Sequence, residues 1–132
     1  HYVLVHKAGL DWIPEWWVGL SVGFIINNLL VVNNHRDADE DAACGKCTLV
    51  ARFGRKFGVV LYLVGSFVAL GLCPWYERDL LWTAWLLPVA LFLGLLLNKA
   101  KSQKDYAKLL GRSAALVIAH CILAVAGLLI LR

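Results

Sequence analysis

The sequence predicts an all-α, polytopic transmembrane helical bundle, and three observations carry that prediction. The 132 residues are 61% hydrophobic and only 17% charged, against roughly 45–50% and about 25% in soluble domains. Their mean hydropathy is +0.69. The apolar residues fall in long runs separated by polar connectors, and the longer runs approach the ~20 residues that a helix needs to cross a bilayer. No soluble domain or low-complexity tract interrupts them, and no basic stretch with a short apolar core and cleavage site marks a secretion signal.

Residues 1–9, HYVLVHKAG, are too short to span. They read as the last turns of a truncated helix or as a re-entrant piece, so the chain is expected to be the C-terminal portion of a longer polytopic protein. Pro14 suits the first turn of the next helix, and the first complete span is expected over 13–34. Gly19 and Gly23 give it the small-residue spacing that lets a neighbouring helix approach closely. Asn27 and Asn28 lie deep in this span and must face protein or water, because unpaired amides in hydrocarbon are expensive. Asn27, Asn34 and Asp41 recur at seven-residue intervals, so one polar stripe leads down toward a charged loop and suggests a cavity wall.

That loop covers 35–56. A second span is expected over 57–73, with Gly58, Gly65 and Gly71 inside it, followed by a short turn from Cys73 to Asp79. The third span, 80–98, carries Pro88, whose kink neighbouring helices can accommodate. A basic polar connector, 99–112, leads to the fourth span over 113–131.

Orientation follows from the connectors. Arg36, Lys46, Arg52, Arg55 and Lys56 lie in one, and Lys99, Lys101, Lys104, Lys108 and Arg112 in the next but one, so two spans put both groups on one side. Those are ten of the 13 basic residues, and the excess of Lys and Arg makes that side cytoplasmic. The opposite boundary holds all 6 tryptophans, Trp12, Trp16, Trp17, Trp75, Trp82 and Trp85, as an interfacial aromatic belt would. The charge of +4 is thereby a topology signal. The expected surroundings are a lipid bilayer, with no nucleic acid as partner.

The chemistry concentrates at Asn33-Asn34-His35-Arg36-Asp37-Ala38-Asp39-Glu40-Asp41. Residues three, four and seven apart share a helix face, so a continuing helix lines up Asn34, Asp37 and Asp41, with Asn33 joining from the side. Carboxylates so placed repel unless a cation lies between them. Carboxylate and amide oxygens suit a hard cation such as Mg²⁺, which is commonly shared with substrate phosphates. Arg36 and Lys46 flank the cluster and suit an anion beside the metal. The physical reading is a metal-bridged diphosphate site at a membrane surface; the competing reading of any such charge run is a solvated loop.

Other candidates are weaker. Cys44-Gly45-Lys46-Cys47 has CxxC spacing, which fits zinc or thiol redox chemistry, but no second pair completes a tetrahedral site and two incidental loop cysteines explain it better. The four cysteines do not form a secreted disulfide framework. His120 reads as a packed interior histidine. Tyr106, with the lysines around it, suits contact with lipid phosphates, but the plainer reading is a surface connector; Arg52, Arg55 and Lys56 read as topology-setting charges.

The run Asn33-Asn34-x-Arg36-Asp37-xxx-Asp41-xxx-Gly45-Lys46-x-Thr48-Leu49, closing with Arg52-Phe53-Gly54, resembles the second aspartate-rich motif of the UbiA prenyltransferase superfamily. Its form is closest to the menaquinone branch, the 1,4-dihydroxy-2-naphthoate polyprenyltransferases. His35 departs from that branch, where an aliphatic residue is expected. The family's first aspartate-rich motif is absent from these residues, so this portion alone is not expected to be active.

The resemblance implies the sixth to ninth helices of a nine-helix bundle in the bacterial inner membrane, with the motif loop cytoplasmic. It implies Mg²⁺ held by Asp37 and Asp41 with Asn33 in support, and a polyprenyl diphosphate met by Arg36, Lys46 and Asn34. The expected acceptor is 1,4-dihydroxy-2-naphthoate, giving demethylmenaquinone, diphosphate and CO₂. A ubiquinone-type benzoate or a homogentisate-like ring is the alternative acceptor. Two other classes compete: a transporter whose polar stripe lines a cation path, and a non-catalytic membrane scaffold built on the packing glycines.

Overall fold

The computed structural model describes residues 16–130. The expected helix tail at 1–9, Pro14 and the start of the first span, Asp11, Trp12, and residues 131–132 lie outside the described residues. Among the described residues every regular element is helical.

Four helices are long and apolar enough to cross a membrane: α1 (Trp16–Arg36), α4 (Arg55–Tyr76), α5 (Arg78–Lys99) and α6 (Gln103–Ile130). Two short ones, α2 (Ala38–Ala43) and α3 (Leu49–Phe53), sit in the loop between α1 and α4. At 21 residues, α1 rises about 30 Å, the thickness of the hydrocarbon core. A helix is the form that satisfies every backbone N–H and C=O without water, which is why these runs adopt it.

The last three spans are longer than the sequence boundaries. The largest change is at α6, whose 28 residues begin at Gln103, so most of the expected connector 99–112 is helix. Its first turns are polar on their exposed sides, but Tyr106 and Leu109 are buried, and packing those two extends the helix beyond the apolar run. The turn expected from Cys73 to Asp79 is likewise mostly helical, broken at Glu77, where the backbone is extended (φ −121°, ψ 107°).

Two spans depart from regular α geometry. In α4, Val68–Leu72 forms a π-helical turn, and the Ala69 carbonyl there accepts a hydrogen bond of 2.7 Å from Ser21 Oγ. Such turns release carbonyls from the regular ladder, and here a serine from α1 takes one up. In α5, a 3₁₀ stretch (Arg78–Leu86) gives way to α-helix at Leu87. Pro88 lies in the first turn of that α segment, where its missing N–H costs nothing.

Neighbouring spans run antiparallel, as contacts at their ends show. Trp17, near the start of α1, stacks on Tyr76 at the end of α4, with ring centroids 4.4 Å apart. At the other end, a Cβ on Gly58 of α4 would meet His35 of α1 at 3.2 Å. The main core joins Ile25, Val32, Tyr62, Leu70, Leu93, Leu97, Leu109 and Leu116. A smaller cluster of Cys73, Leu80 and Ala124 lies at the tryptophan end. There the backbones meet so closely that a Cβ on Gly127 would overlap the Asp79 carbonyl.

A buried polar seam crosses this core. Asn28 Nδ2 donates to Ser66 Oγ at 2.9 Å, Tyr62 and Ser113 share a hydroxyl contact of 3.0 Å, and Ser21 Oγ lies 3.1 Å from His120 Nε2. Asn28 thus faces protein, as an amide in hydrocarbon must, and His120 is the packed interior histidine expected. Gly19 and Gly23 meet no close neighbour among the described residues. Both are exposed, and nothing lies within 4 Å of a Cβ added at either, so among the described residues no helix packs on that face.

Candidate active site

The acidic run lies at a break between α1 and α2. Asp37 has φ −92° and ψ 8°, a conformation between α and β that bends the chain without unwinding it. Helical hydrogen bonds bridge the bend, from Asp37 N to the Asn33 carbonyl (3.0 Å) and from Asp41 N to the Asp37 carbonyl (2.8 Å). The expected continuing helix is therefore present with a bend at its first aspartate.

Each of the two motif carboxylates has its own cation. Arg36 grips Asp37 with two parallel bonds, Nε to Oδ1 at 2.6 Å and a terminal N–H to Oδ2 at 2.8 Å. This fork geometry is the strongest form of such a pair. The Arg36 hydrogen bond holds the Asp37 carboxyl below its ordinary value of 3.8. Lys46 Nζ lies 3.1 Å from Asp41 Oδ1. Arg36 and Lys46, expected to face an anion, here compensate the acids that were expected to repel one another.

Local backbone chemistry explains how Lys46 reaches back. Gly45 follows the end of α2 with φ 72°, a left-handed conformation that glycine adopts without steric penalty. The Gly45 N–H bonds the Ala42 carbonyl (3.3 Å) and the Lys46 N–H bonds the Asp41 carbonyl (2.8 Å). That is the Schellman pattern of helix termination, and it returns Lys46 to the level of Asp41. Thr48 then caps α3, its Oγ1 accepting from Ala51 N at 3.1 Å. Gly54, at φ 88°, turns the chain into α4.

Asp41 is the buried acid of the cluster, with 7% of its surface exposed. Its Oδ2 is buried without a hydrogen-bond partner. A buried carboxylate oxygen left unpaired is costly, so this atom marks a place where a cation or donor would be favourable. Asn33 and Asn34 are half-buried and make no side-chain hydrogen bond among the described residues. Asp39 and Glu40 are exposed. No group of three or more His, Cys, Asp or Glu converges among the described residues. The oxygen donors available are the two aspartates and the asparagine amides, a set that fits a hard divalent ion with open positions for water and substrate oxygen. Cys44 and Cys47 are free and exposed, and His35, the nearest imidazole in sequence, turns toward Tyr106 instead.

Two residues assigned duller roles in the sequence shape this end of the bundle. Arg55, at the start of α4, donates from Nε to the His35 carbonyl at 3.2 Å, satisfying one of the acceptors that a helix end leaves open. A terminal N–H reaches Asp39 at 3.0 Å. Tyr106 is 5% exposed rather than a surface residue, and its hydroxyl contacts His35 Nδ1 at 3.0 Å. The position of Arg55, directly after Arg52-Phe53-Gly54, was an available signal; for Tyr106 the signal was its spacing three residues before Leu109, which puts both on one helix face.

The fold and the acidic run together define a polytopic helical membrane protein with paired acids and bases at one end of its bundle. The sequence model of the UbiA prenyltransferase family matches residues 2–110, and the chain belongs to that family. Membership implies an aromatic prenyltransferase. Comparison with curated proteins and with solved structures found no match to either.

Proposed function

We propose that this chain forms the second acidic half of a site that transfers a polyprenyl group from polyprenyl diphosphate to 1,4-dihydroxy-2-naphthoate. The products are the reduced, quinol form of demethylmenaquinone, diphosphate and CO₂. The observation that carries this reading is the unpaired buried Oδ2 of Asp41, beside Lys46, at the end of a membrane helix in a UbiA-family chain.

Asp37 and Asp41, with Asn33 in support, would hold Mg²⁺. When bound, the ion supplies Lewis-acid stabilisation to the diphosphate oxygens. Arg36 and Lys46 take up negative charge as it develops on the leaving group, and such preorganised electrostatics is often the largest catalytic contribution. Both bases already stand against the aspartates, so an arriving diphosphate would exchange one set of anionic partners for another. Asn34 offers a donor to a diphosphate oxygen. Ionisation leaves an allylic cation, which the electron-rich naphthoate ring attacks; loss of the ring carboxylate restores aromaticity. The apolar helix faces shelter the prenyl chain and keep water from the cation. The motif loop is read as cytoplasmic and the membrane as the bacterial inner membrane.

Prenyl transfer by the full-length protein, assayed with Mg²⁺ and naphthoate, tests the reading. Asp37→Ala and Asp41→Ala should each lower product formation by about 10²–10³, the size of effect seen when one preorganised electrostatic group is lost. Undiminished transfer in both variants rejects the assignment; transfer to a benzoate but not a naphthoate keeps the site and changes the acceptor.

A further inference from the structure

Beside the acidic motif lies a cavity of about 460 Å³, lined by Arg36, Arg55, Ala100, Lys101, Gln103 and Tyr106. It brings together the end of α1, the start of α4 and the connector into α6. Three of its six lining residues are cations and none is a carboxylate. Arg36 commits two of its N–H groups to Asp37. Arg55 commits one to the His35 carbonyl and one to Asp39. A guanidinium carries five N–H donors, so each arginine retains donors beyond those bonds. Lys101 makes no side-chain hydrogen bond or ion pair among the described residues, and Gln103 adds an amide.

Hydrogen bonds tie the floor of the cavity together. Tyr106 bonds both His35 and the Ala100 carbonyl, and the connector is tied by the Asp105 carboxylate accepting from the backbone N–H groups of Lys101 and Ser102. The cavity sits where membrane spans end. Its volume falls within the range of small-ligand sites, and basic pockets between spans suit phosphate headgroups.

We propose that this cavity binds an anionic phosphate group through Arg55, Lys101 and Gln103, as a site separate from the motif carboxylates. Two sources carry that chemistry: the headgroup of an anionic phospholipid, or free diphosphate. The proposal rests on the cavity and not on the prenyl-transfer reading. Arg36 borders both sites and is left unaltered in the test.

The test uses full-length protein in nanodiscs of phosphatidylcholine with or without phosphatidylglycerol, counting phosphatidylglycerol retained by native mass spectrometry. Lys101→Glu should lower retention about tenfold or more, since each cation near a membrane surface contributes on that scale. A parallel arm titrates inorganic diphosphate calorimetrically into phosphatidylcholine nanodiscs holding Asp41→Asn protein, in which the motif site is impaired. Retention lost in Lys101→Glu and unaffected by diphosphate assigns a lipid headgroup. Diphosphate binding that weakens about tenfold on adding Lys101→Glu, with displacement of phosphatidylglycerol, assigns the free anion. Equal retention and equal diphosphate binding with and without Lys101→Glu overturn the proposal. Arg55→Gln should act in the same direction and is compared at matched thermal stability, because Arg55 also ties α4 to α1.

Discussion

His35 Nδ1 lies 3.0 Å from the hydroxyl of Tyr106, joining the end of the first span to the start of the last across 71 residues of sequence. The hydroxyl has one proton and a second partner, the Ala100 carbonyl at 3.3 Å. With that proton given to Ala100, His35 donates from Nδ1. Both side chains are buried. Tyr106→Phe leaves the His35 N–H and the Ala100 carbonyl without this partner, and should lower stability by about 1–3 kcal/mol. Thermal unfolding in detergent, with a His35→Ala/Tyr106→Phe double-mutant cycle, measures it; the two losses should be clearly non-additive.

Gly45 sets the return of Lys46 to Asp41. An alanine there must adopt φ 72°, at a cost of about 1–2 kcal/mol, or let the loop relax and carry Lys46 away. Because α2 is only 6 residues long, relaxation should prevail. Gly45→Ala should then leave the unfolding temperature nearly unchanged while raising KM for the prenyl diphosphate by a factor on the order of ten. Steady-state kinetics on full-length protein would show it.

The Arg36–Asp37 pair makes a statement about acid. Its carboxyl sits below the ordinary 3.8 because of the Arg36 hydrogen bond. The pair's stabilisation is therefore present above that ordinary value and fades as pH falls through the lower folded one. Arg36→Gln should lower the unfolding temperature by a constant amount near neutrality. The gap from the parent should close only below about pH 4. Unfolding followed from pH 7 down to 3 reads both limbs.

Two glycines of α6 should respond in opposite directions. A Cβ on Gly127 overlaps the Asp79 backbone carbonyl, whereas one on Gly111 meets nothing within 4 Å. Gly127→Ala forces backbone apart and should destabilise by about 1–3 kcal/mol. Gly111→Ala removes a flexible residue from a helix and should stabilise by up to about 1 kcal/mol. Unfolding temperatures of the two variants side by side give the comparison.

Residue patterns reveal some parts of this molecule and conceal others. The four spans are visible because hydrocarbon permits one local solution to backbone hydrogen bonding, so an apolar run nearly dictates its own conformation. Their ends are less visible. Gln103 to Arg112 looks like a connector by charge, and becomes helix because Tyr106 and Leu109 find a core to enter. Gly19 and Gly23 carry the spacing of a packing face, yet no described neighbour lies against them; spacing states what a surface permits, and a partner decides whether it is used.

At the site, the order of Asp37, Asp41 and Lys46 along the chain was enough to single out the acids and bases. It did not say which acid each base would hold. That depends on the bend at Asp37 and the left-handed turn at Gly45, which pair Arg36 with Asp37 and Lys46 with Asp41 and leave one oxygen of Asp41 unpartnered.

The sequence by itself determined that this protein is a bundle of membrane-crossing helices and where its charged chemistry lies, because burial of apolar runs and spacing along one helix are local matters. Only the tertiary structure decided that Arg55 and Tyr106 lock the end of α1, and that a basic cavity opens between them. Those contacts join residues from 20 to 71 positions apart, and a distance in sequence becomes a distance in space only once the helices have packed.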